Sequence, residues 1–101
     1  MTPADAAPIH EFADANQVVV HVVGSRAAGT ARAESDYDYL LGETGSASRL
    51  RQKARRELPR GVAGGELHPT RGETGIDVFR DSLDRSLPHV TFTPKGRRPP
   101  R

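Results

Sequence analysis

The chain has 101 residues, a net charge of +2 and no cysteine. Its length accommodates one domain and excludes a second substrate-binding domain, and the lack of cysteine excludes a disulfide framework and a thiolate metal site. No stretch approaches the ~18 apolar residues of a membrane span or contains a signal-peptide core, so we expect no membrane association. The basicity is local, because Lys95, Arg97, Arg98 and Arg101 carry +4 and leave −2 for the rest of the chain.

The N-terminal region predicts a short helix after a loose beginning. The first sixteen residues are rich in Ala, Pro and Asp, and we expect residues 1–8 to form a flexible segment. Pro8–Asn16 is predicted to be helical, because Ile9, Phe12 and Ala13 recur at the i, i+3, i+4 spacing of an apolar stripe.

A buried strand and a small-residue turn follow. Gln17–Val23 contains five valines in seven residues, which is typical of a strand inside a sheet. His21 interrupts this strand, either as a structural histidine beside the helices or as a polar group lining a site. Gly24 and Ser25 form a turn that lets backbone N–H groups approach a phosphate, and Arg26–Ala33 is predicted to coil into a short helix.

The second strand, Asp36–Leu41, carries two aspartates. Because strand side chains alternate between faces, Asp36 and Asp38 project from the same face, and Tyr37 and Tyr39 project from the opposite one. Two neighbouring carboxylates repel unless a cation lies between them. Mg²⁺ is bound in this way, through one or two carboxylates plus substrate phosphates. A phosphate-binding turn beside such a pair suggests phosphoryl or nucleotidyl transfer.

Ser46–Leu58 is predicted to be an amphipathic helix that ends at Pro59. Five basic residues in this segment face one acid, Glu57. Such a run is either a solvated helix face or a contact surface for RNA or an acidic partner. The basic residues are Arg49, Arg51, Lys53, Arg55 and Arg56.

The C-terminal part predicts further strands and a basic end. Val62–His68 is a weak strand expected to form a hairpin with Gly75–Phe79, the third good strand. Asp81–Pro88 is predicted as a polar loop or single helical turn, and His89–Thr93 as an edge strand. We expect residues 94–101 to be a flexible basic tail.

The spacing around the aspartates resembles the DNA polymerase β-like nucleotidyltransferase superfamily. A Gly-Ser pair is followed by ten residues and then by Asp-x-Asp, here Asp36-Tyr37-Asp38. The intervening residues fit the family form GSRAxGxxRxxSD, and the short chain looks most like the minimal nucleotidyltransferases. The matching intervening residues are Arg26, Gly29, Arg32 and Ser35.

The resemblance implies a fold and a set of site residues. The fold is α/β (α+β): a small mixed β-sheet with helices packed on one face, over residues 9–93. The family's third carboxylate matches Asp77, since Ile76 and Val78 would face the core. Asp36, Asp38 and Asp77 are thus implied as the catalytic residues and as the ligands of two Mg²⁺ ions, with Mn²⁺ as a substitute.

Other residues are implied or compete for roles at the site. Phosphate binding is implied for Gly24, Ser25, Arg32 and Ser35. Arg26 either contacts substrate or packs against the sheet edge. Two acidic residues, Glu66 and Glu73, rival Asp77, but they lie in or beside glycine-rich turns, which are poorer platforms for rigid coordination.

The implied activity is metal-dependent transfer of NMP from an NTP to a macromolecular acceptor, an RNA end or a protein hydroxyl. The segment IDVFRDSLDRSLPHVTFTP looks like the ending of a toxin module of a bacterial polymorphic toxin, secreted and acting in the bacterial cytoplasm with a cognate immunity protein. Two alternatives stay open. One is a minimal nucleotidyltransferase antitoxin that adds AMP to a partner toxin, and the other is a non-catalytic nucleotide-binding subunit.

Overall fold

A computed structural model describes residues 3–31, 36–42, 46–61 and 75–94. Within these ranges no helix is long and apolar enough to cross a membrane. The elements, in chain order, are α1 (Pro3–Asn16), β1 (Val20–Val23), α2 (Gly24–Ala28), β2 (Tyr37–Leu41), α3 (Ser48–Glu57), β3 (Ile76–Phe79) and β4 (His89–Phe92).

The described strands form one mixed sheet in the order β3-β2-β1-β4. β1 pairs antiparallel with both β2 and β4, whereas β2 pairs parallel with β3. The edge position of β4 confirms the prediction for His89–Thr93. A parallel pair requires a long crossover connection, and α3 lies in the connection between β2 and β3.

The hydrophobic core lies on one face of this sheet. Val20 is opposite Leu41 and Val22 is opposite Tyr39, and directly opposed residues share a face. Side chains of α1 and α3 cover this face, as predicted, and each large apolar side chain buried there stabilises the fold by roughly 1.5–3 kcal/mol. The helix residues of the core cluster are Ile9, Phe12, Ala13 and Ala54, with Leu58 directly after α3.

Tyr39 fixes the end of α3 to the sheet. Its side chain is fully buried, and its hydroxyl donates a 2.7 Å hydrogen bond to the carbonyl oxygen of Pro59. Its ring stacks on Tyr37 at a centroid distance of 6.0 Å. The buried hydroxyl therefore has the partner that a tyrosine in a core requires.

Helix α1 begins earlier than predicted. It starts at Pro3 rather than Pro8, so most of the segment predicted as flexible is helical, and Pro8 lies inside the helix. The predicted start followed from the apolar stripe, whose first member is Ile9. The alanines that precede it are strong helix formers, and the burial of Ile9 and Phe12 stabilises the helix despite the hydrogen bond that proline cannot donate.

Helix α2 is shorter than predicted. It begins at Gly24 and ends before Gly29, which is left-handed with φ of 81° and donates its N–H to the carbonyl oxygen of Ser25. A left-handed glycine after the last turn is a common helix terminator. The predicted strand at Val62–His68, its hairpin and the tail after Pro94 lie outside the described residues.

Candidate active site

Asp38 and Asp77 lie side by side on the sheet face that points away from α1 and α3, here termed the carboxylate face. The parallel register of β2 and β3 puts Asp38 directly opposite Asp77, with Val23 of β1 on its other side. Asp36 immediately precedes β2, and its carboxyl group is hydrogen-bonded to that of Asp77. The structure thus brings all three predicted carboxylates together.

The turn that ends β1 packs directly against this cluster. Gly24 has a φ of 70°, in the region that favours glycine. A Cβ atom at this position would collide with Oδ2 of Asp38 and lie 3.4 Å from its Cγ. Both the left-handed backbone and the lack of room for a Cβ atom therefore require glycine at this position. With glycine there, the Gly-Ser turn packs directly against the carboxyl group of Asp38.

The crowding of the carboxylates shifts their proton affinities. The pKa of Asp38 is raised to about 6, chiefly by partial burial and then by the negative charges of Asp77 and Asp36 and a hydrogen bond to Asp77. The pKa of Asp77 is also raised, by loss of water around its carboxyl group and then by the charge and hydrogen bond of Asp36. Neighbouring carboxylates of this kind are stabilised by gaining a proton or a cation.

A cation from α3 also acts on the cluster. The guanidinium group of Arg55 donates a 3.2 Å hydrogen bond to the carbonyl oxygen of Val78, the residue after Asp77. Its charge opposes the rise in the pKa of Asp77. One end of the basic helix is therefore joined to β3 beside the third carboxylate.

The donor chemistry of the cluster fits Mg²⁺ delivered with a phosphate ligand. Across the described ranges, no group of three or more His, Cys, Asp or Glu side chains is arranged to hold a metal ion, and Asp77 is instead hydrogen-bonded to both Asp36 and Asp38. Mg²⁺ does not require an all-protein cage, because it is usually bound through one or two carboxylates together with waters and substrate phosphates. Asp36, Asp38 and Asp77 supply oxygen ligands of this class.

The predicted phosphate-binding residues are only partly within the described ranges. Ser25 follows Gly24 in α2 and is half-buried. Arg26 packs on the core side of β2, an interior strand, where its guanidinium carbon lies 4.1 Å from the ring centroid of Tyr37. The remaining predicted or rival residues, Arg32, Ser35, Glu66 and Glu73, lie outside the described residues.

His21 is a buried residue on the carboxylate face. It is opposite Leu40 and Thr91 in the register, so it projects from the sheet face that points away from α1 and α3. Its side chain is fully buried, and Nδ1 is 2.9 Å from the Thr91 hydroxyl. This contact joins β1 to β4 on the carboxylate face.

Sequence reasoning missed a pocket of about 520 Å³ beside the cluster. Its lining comes from Gly24 and Ser25, from Leu40 and Phe79 of the carboxylate face, and from residues of the segment 81–88. That segment has no helical or strand periodicity, so nothing in its sequence indicated that it would border a cavity. The signal that existed was the alternation of β2 and β3, which puts Leu40 and Phe79 on the aspartate side.

No protein-family model, no curated protein and no solved structure matches this chain. The geometry of the carboxylate face is therefore the main structural evidence for function.

Proposed function

We propose that this chain is a metal-dependent nucleotidyltransferase of the polymerase β-like type, which transfers NMP from an NTP to a macromolecular acceptor. The observation that supports it most is the packing of Gly24 against Asp38, within a cluster that includes Asp36 and Asp77. A turn whose N–H groups can approach a phosphate thus lies next to carboxylates that suit Mg²⁺.

Nucleotidyl transfer joins the acceptor oxygen to the α-phosphorus. The bond from that phosphorus to the oxygen bridging the β-phosphate breaks, and pyrophosphate leaves. Asp36, Asp38 and Asp77 would hold two Mg²⁺ ions, which supply Lewis-acid stabilisation of the phosphate charge. Asp77 would accept the proton of the acceptor hydroxyl as the general base. Ser25 would donate hydrogen bonds to the terminal phosphates.

The acceptor is proposed to be an RNA end or a protein hydroxyl, and the basic face of α3 favours RNA. Arg49 and Arg56 are exposed on this helix, while Ala54 faces the core. Arg55 connects the same helix to β3 beside Asp77. A polyanion bound along α3 would therefore have its end close to the carboxylates.

The proposal is tested by incubating the protein with each α-labelled NTP, Mg²⁺ and whole-cell extract. Label should enter a macromolecule with at least one NTP, and digestion with RNase or protease should identify the acceptor class. Chelation of Mg²⁺ and the variant Asp38→Asn should each abolish incorporation. Labelling that persists in a folded Asp38→Asn variant would refute the assignment of this site.

As a biological setting, we propose a bacterial toxin module. A nucleotidyltransferase that modifies abundant cellular macromolecules would be toxic to the cell unless an immunity protein blocked it. Expression of the wild-type chain in bacteria should arrest growth, and the Asp36→Ala variant should not. Harmless expression of a soluble, NTP-binding wild-type protein would favour the antitoxin alternative.

A further inference from the structure

The pocket beside the carboxylates borders the same two strands, two residues beyond Asp38 and Asp77. Leu40 follows Asp38, and Phe79 follows Asp77, by two residues in each strand, so both pairs share the carboxylate face. Two residues of strand correspond to about 7 Å. The apolar row of Leu40 and Phe79 therefore runs parallel to the carboxylate row at roughly the separation between the phosphates and the base of a nucleotide.

The walls of the pocket differ in chemistry. Ser25 lines it on the side of the Gly-Ser turn, and Leu83 and Leu87 line it from the segment 81–88. Phe79 and Leu87 are 43% and 58% exposed, which is unusual for large apolar side chains beside a cavity. The volume of about 520 Å³ falls within the range of small-molecule sites, which are mostly apolar with few polar groups.

We propose that this pocket binds the nucleobase of the NTP, with the phosphates at Ser25 and the carboxylates. The inference depends on the proposed function, since it assigns the base of that same substrate. A base is flat and apolar on its faces, and it stacks on aromatic side chains. Phe79 offers such a ring, and Leu40 offers an apolar surface beside it in the register.

The polar groups that line the pocket favour particular bases. Asp81 and Asp84 both contribute to its lining, and an ionised carboxylate only accepts hydrogen bonds. Asp84 already accepts bonds from the N–H and hydroxyl groups of Ser86 through Oδ1, which leaves Oδ2 for a ligand. Amino groups of guanine, adenine and cytosine can donate to these oxygens. Uracil has no amino group, and its single ring N–H lies between two carbonyl oxygens, which ionised carboxylates repel.

The test compares nucleotides with a ligand that lacks the base. Dissociation constants are measured by calorimetry with Mg²⁺ for GTP, ATP, CTP, UTP and inorganic tripolyphosphate. The first three NTPs should bind at least about tenfold more tightly than tripolyphosphate, because stacking of one base contributes about that factor. UTP should bind about tenfold more weakly than the tightest NTP, since it loses a charge-assisted hydrogen bond.

Two sets of variants separate stacking from base selection. Phe79→Ala should weaken binding of every NTP about tenfold and leave tripolyphosphate binding unchanged, whereas Phe79→Tyr keeps the ring and should bind like wild type. Asp81→Asn with Asp84→Asn should reduce the preference against UTP, since an amide can also donate. Asparagine retains the Oδ1 acceptor that Ser86 uses.

The outcomes distinguish this inference from the proposed function. If NTPs and tripolyphosphate bind equally and Phe79→Ala has no effect, the base does not occupy the pocket, while the proposed phosphate and metal site remains. If UTP binds as tightly as the other NTPs, the assignment of base selection to Asp81 and Asp84 is wrong. If neither NTPs nor tripolyphosphate bind with Mg²⁺, the proposed function itself fails.

Discussion

Replacing Gly24 by alanine should both destabilise the fold and disturb the carboxylate site. The added Cβ would collide with Oδ2 of Asp38, and the backbone would hold alanine at a φ of 70°. The left-handed conformation costs about 1–2 kcal/mol for a residue other than glycine, and overpacking costs about 1–3 kcal/mol. Gly24→Ala should therefore lower the free energy of unfolding by about 2–5 kcal/mol and displace the carboxyl group of Asp38.

Gly29→Ala is the matched control for this prediction. Gly29 has a similar φ of 81°, but a Cβ there would meet nothing within 4 Å. It should lose only the conformational part, about 1–2 kcal/mol, and keep its Mg²⁺-dependent NTP binding. Urea unfolding and calorimetry measure the two quantities. Equal losses of stability in both variants, with NTP binding retained in Gly24→Ala, would refute the close packing of the turn against Asp38.

Three further predictions concern charge. Because the folded-state pKa of Asp38 is raised to about 6 from an ordinary value of 3.8, the stability that its protonation provides is complete below pH 3.8 and is lost as pH rises towards 6. The unscreened value of this stability is about 3 kcal/mol, and solvent screening of the half-exposed group reduces it to about 1 kcal/mol. Urea unfolding at pH 4 and pH 7 measures the loss, which the variant Asp77→Asn should make smaller. Mg²⁺ should raise Tm at pH 7.5 but barely at pH 5, where Asp38 is mostly protonated, and a Tm shift independent of pH would contradict this carboxylate's role as a ligand. If RNA is the acceptor, the double variant Arg49→Gln with Arg56→Gln should reduce the slope of log binding constant against log salt concentration by about 1.4, as measured by fluorescence anisotropy. Replacing the same two arginines by lysine should preserve the slope. An unchanged slope in the glutamine variant would mean that α3 is only a solvated surface.

The parts of the site that follow from local periodicity were predictable. The period of two put Asp38 on one face of its strand, and the alternation of Ile76 and Val78 with Asp77 did the same for the third carboxylate. The i, i+3, i+4 spacing of Ile9, Phe12 and Ala13 identified the helix that covers the core. These signals are local, so they need no knowledge of the chain's path.

The parts of the fold and site that depend on contacts between distant residues were harder to predict from the sequence. Nothing local indicates that Asp77 would lie opposite Asp38 in a parallel register, and the family resemblance implied only that Asp77 is the third carboxylate. The predicted start of α1 was wrong because the apolar stripe begins only at Ile9, whereas the helix extends back through the alanine-rich residues before it. The segment 81–88 borders a pocket through its tertiary position, which neither its composition nor its spacing encodes.

The most direct test of the central claim is the Mg²⁺ dependence of NTP binding in the wild-type chain and in the folded double variant Asp36→Asn with Asp38→Asn. The wild-type protein should bind NTP tightly only when Mg²⁺ is present, because the carboxylates repel the triphosphate without a cation between them. The double variant should lose this enhancement by Mg²⁺ while unfolding at a similar or higher temperature, since it lacks the repelling charges. An enhancement of equal size in both proteins would contradict the assignment of these aspartates as the metal-binding site.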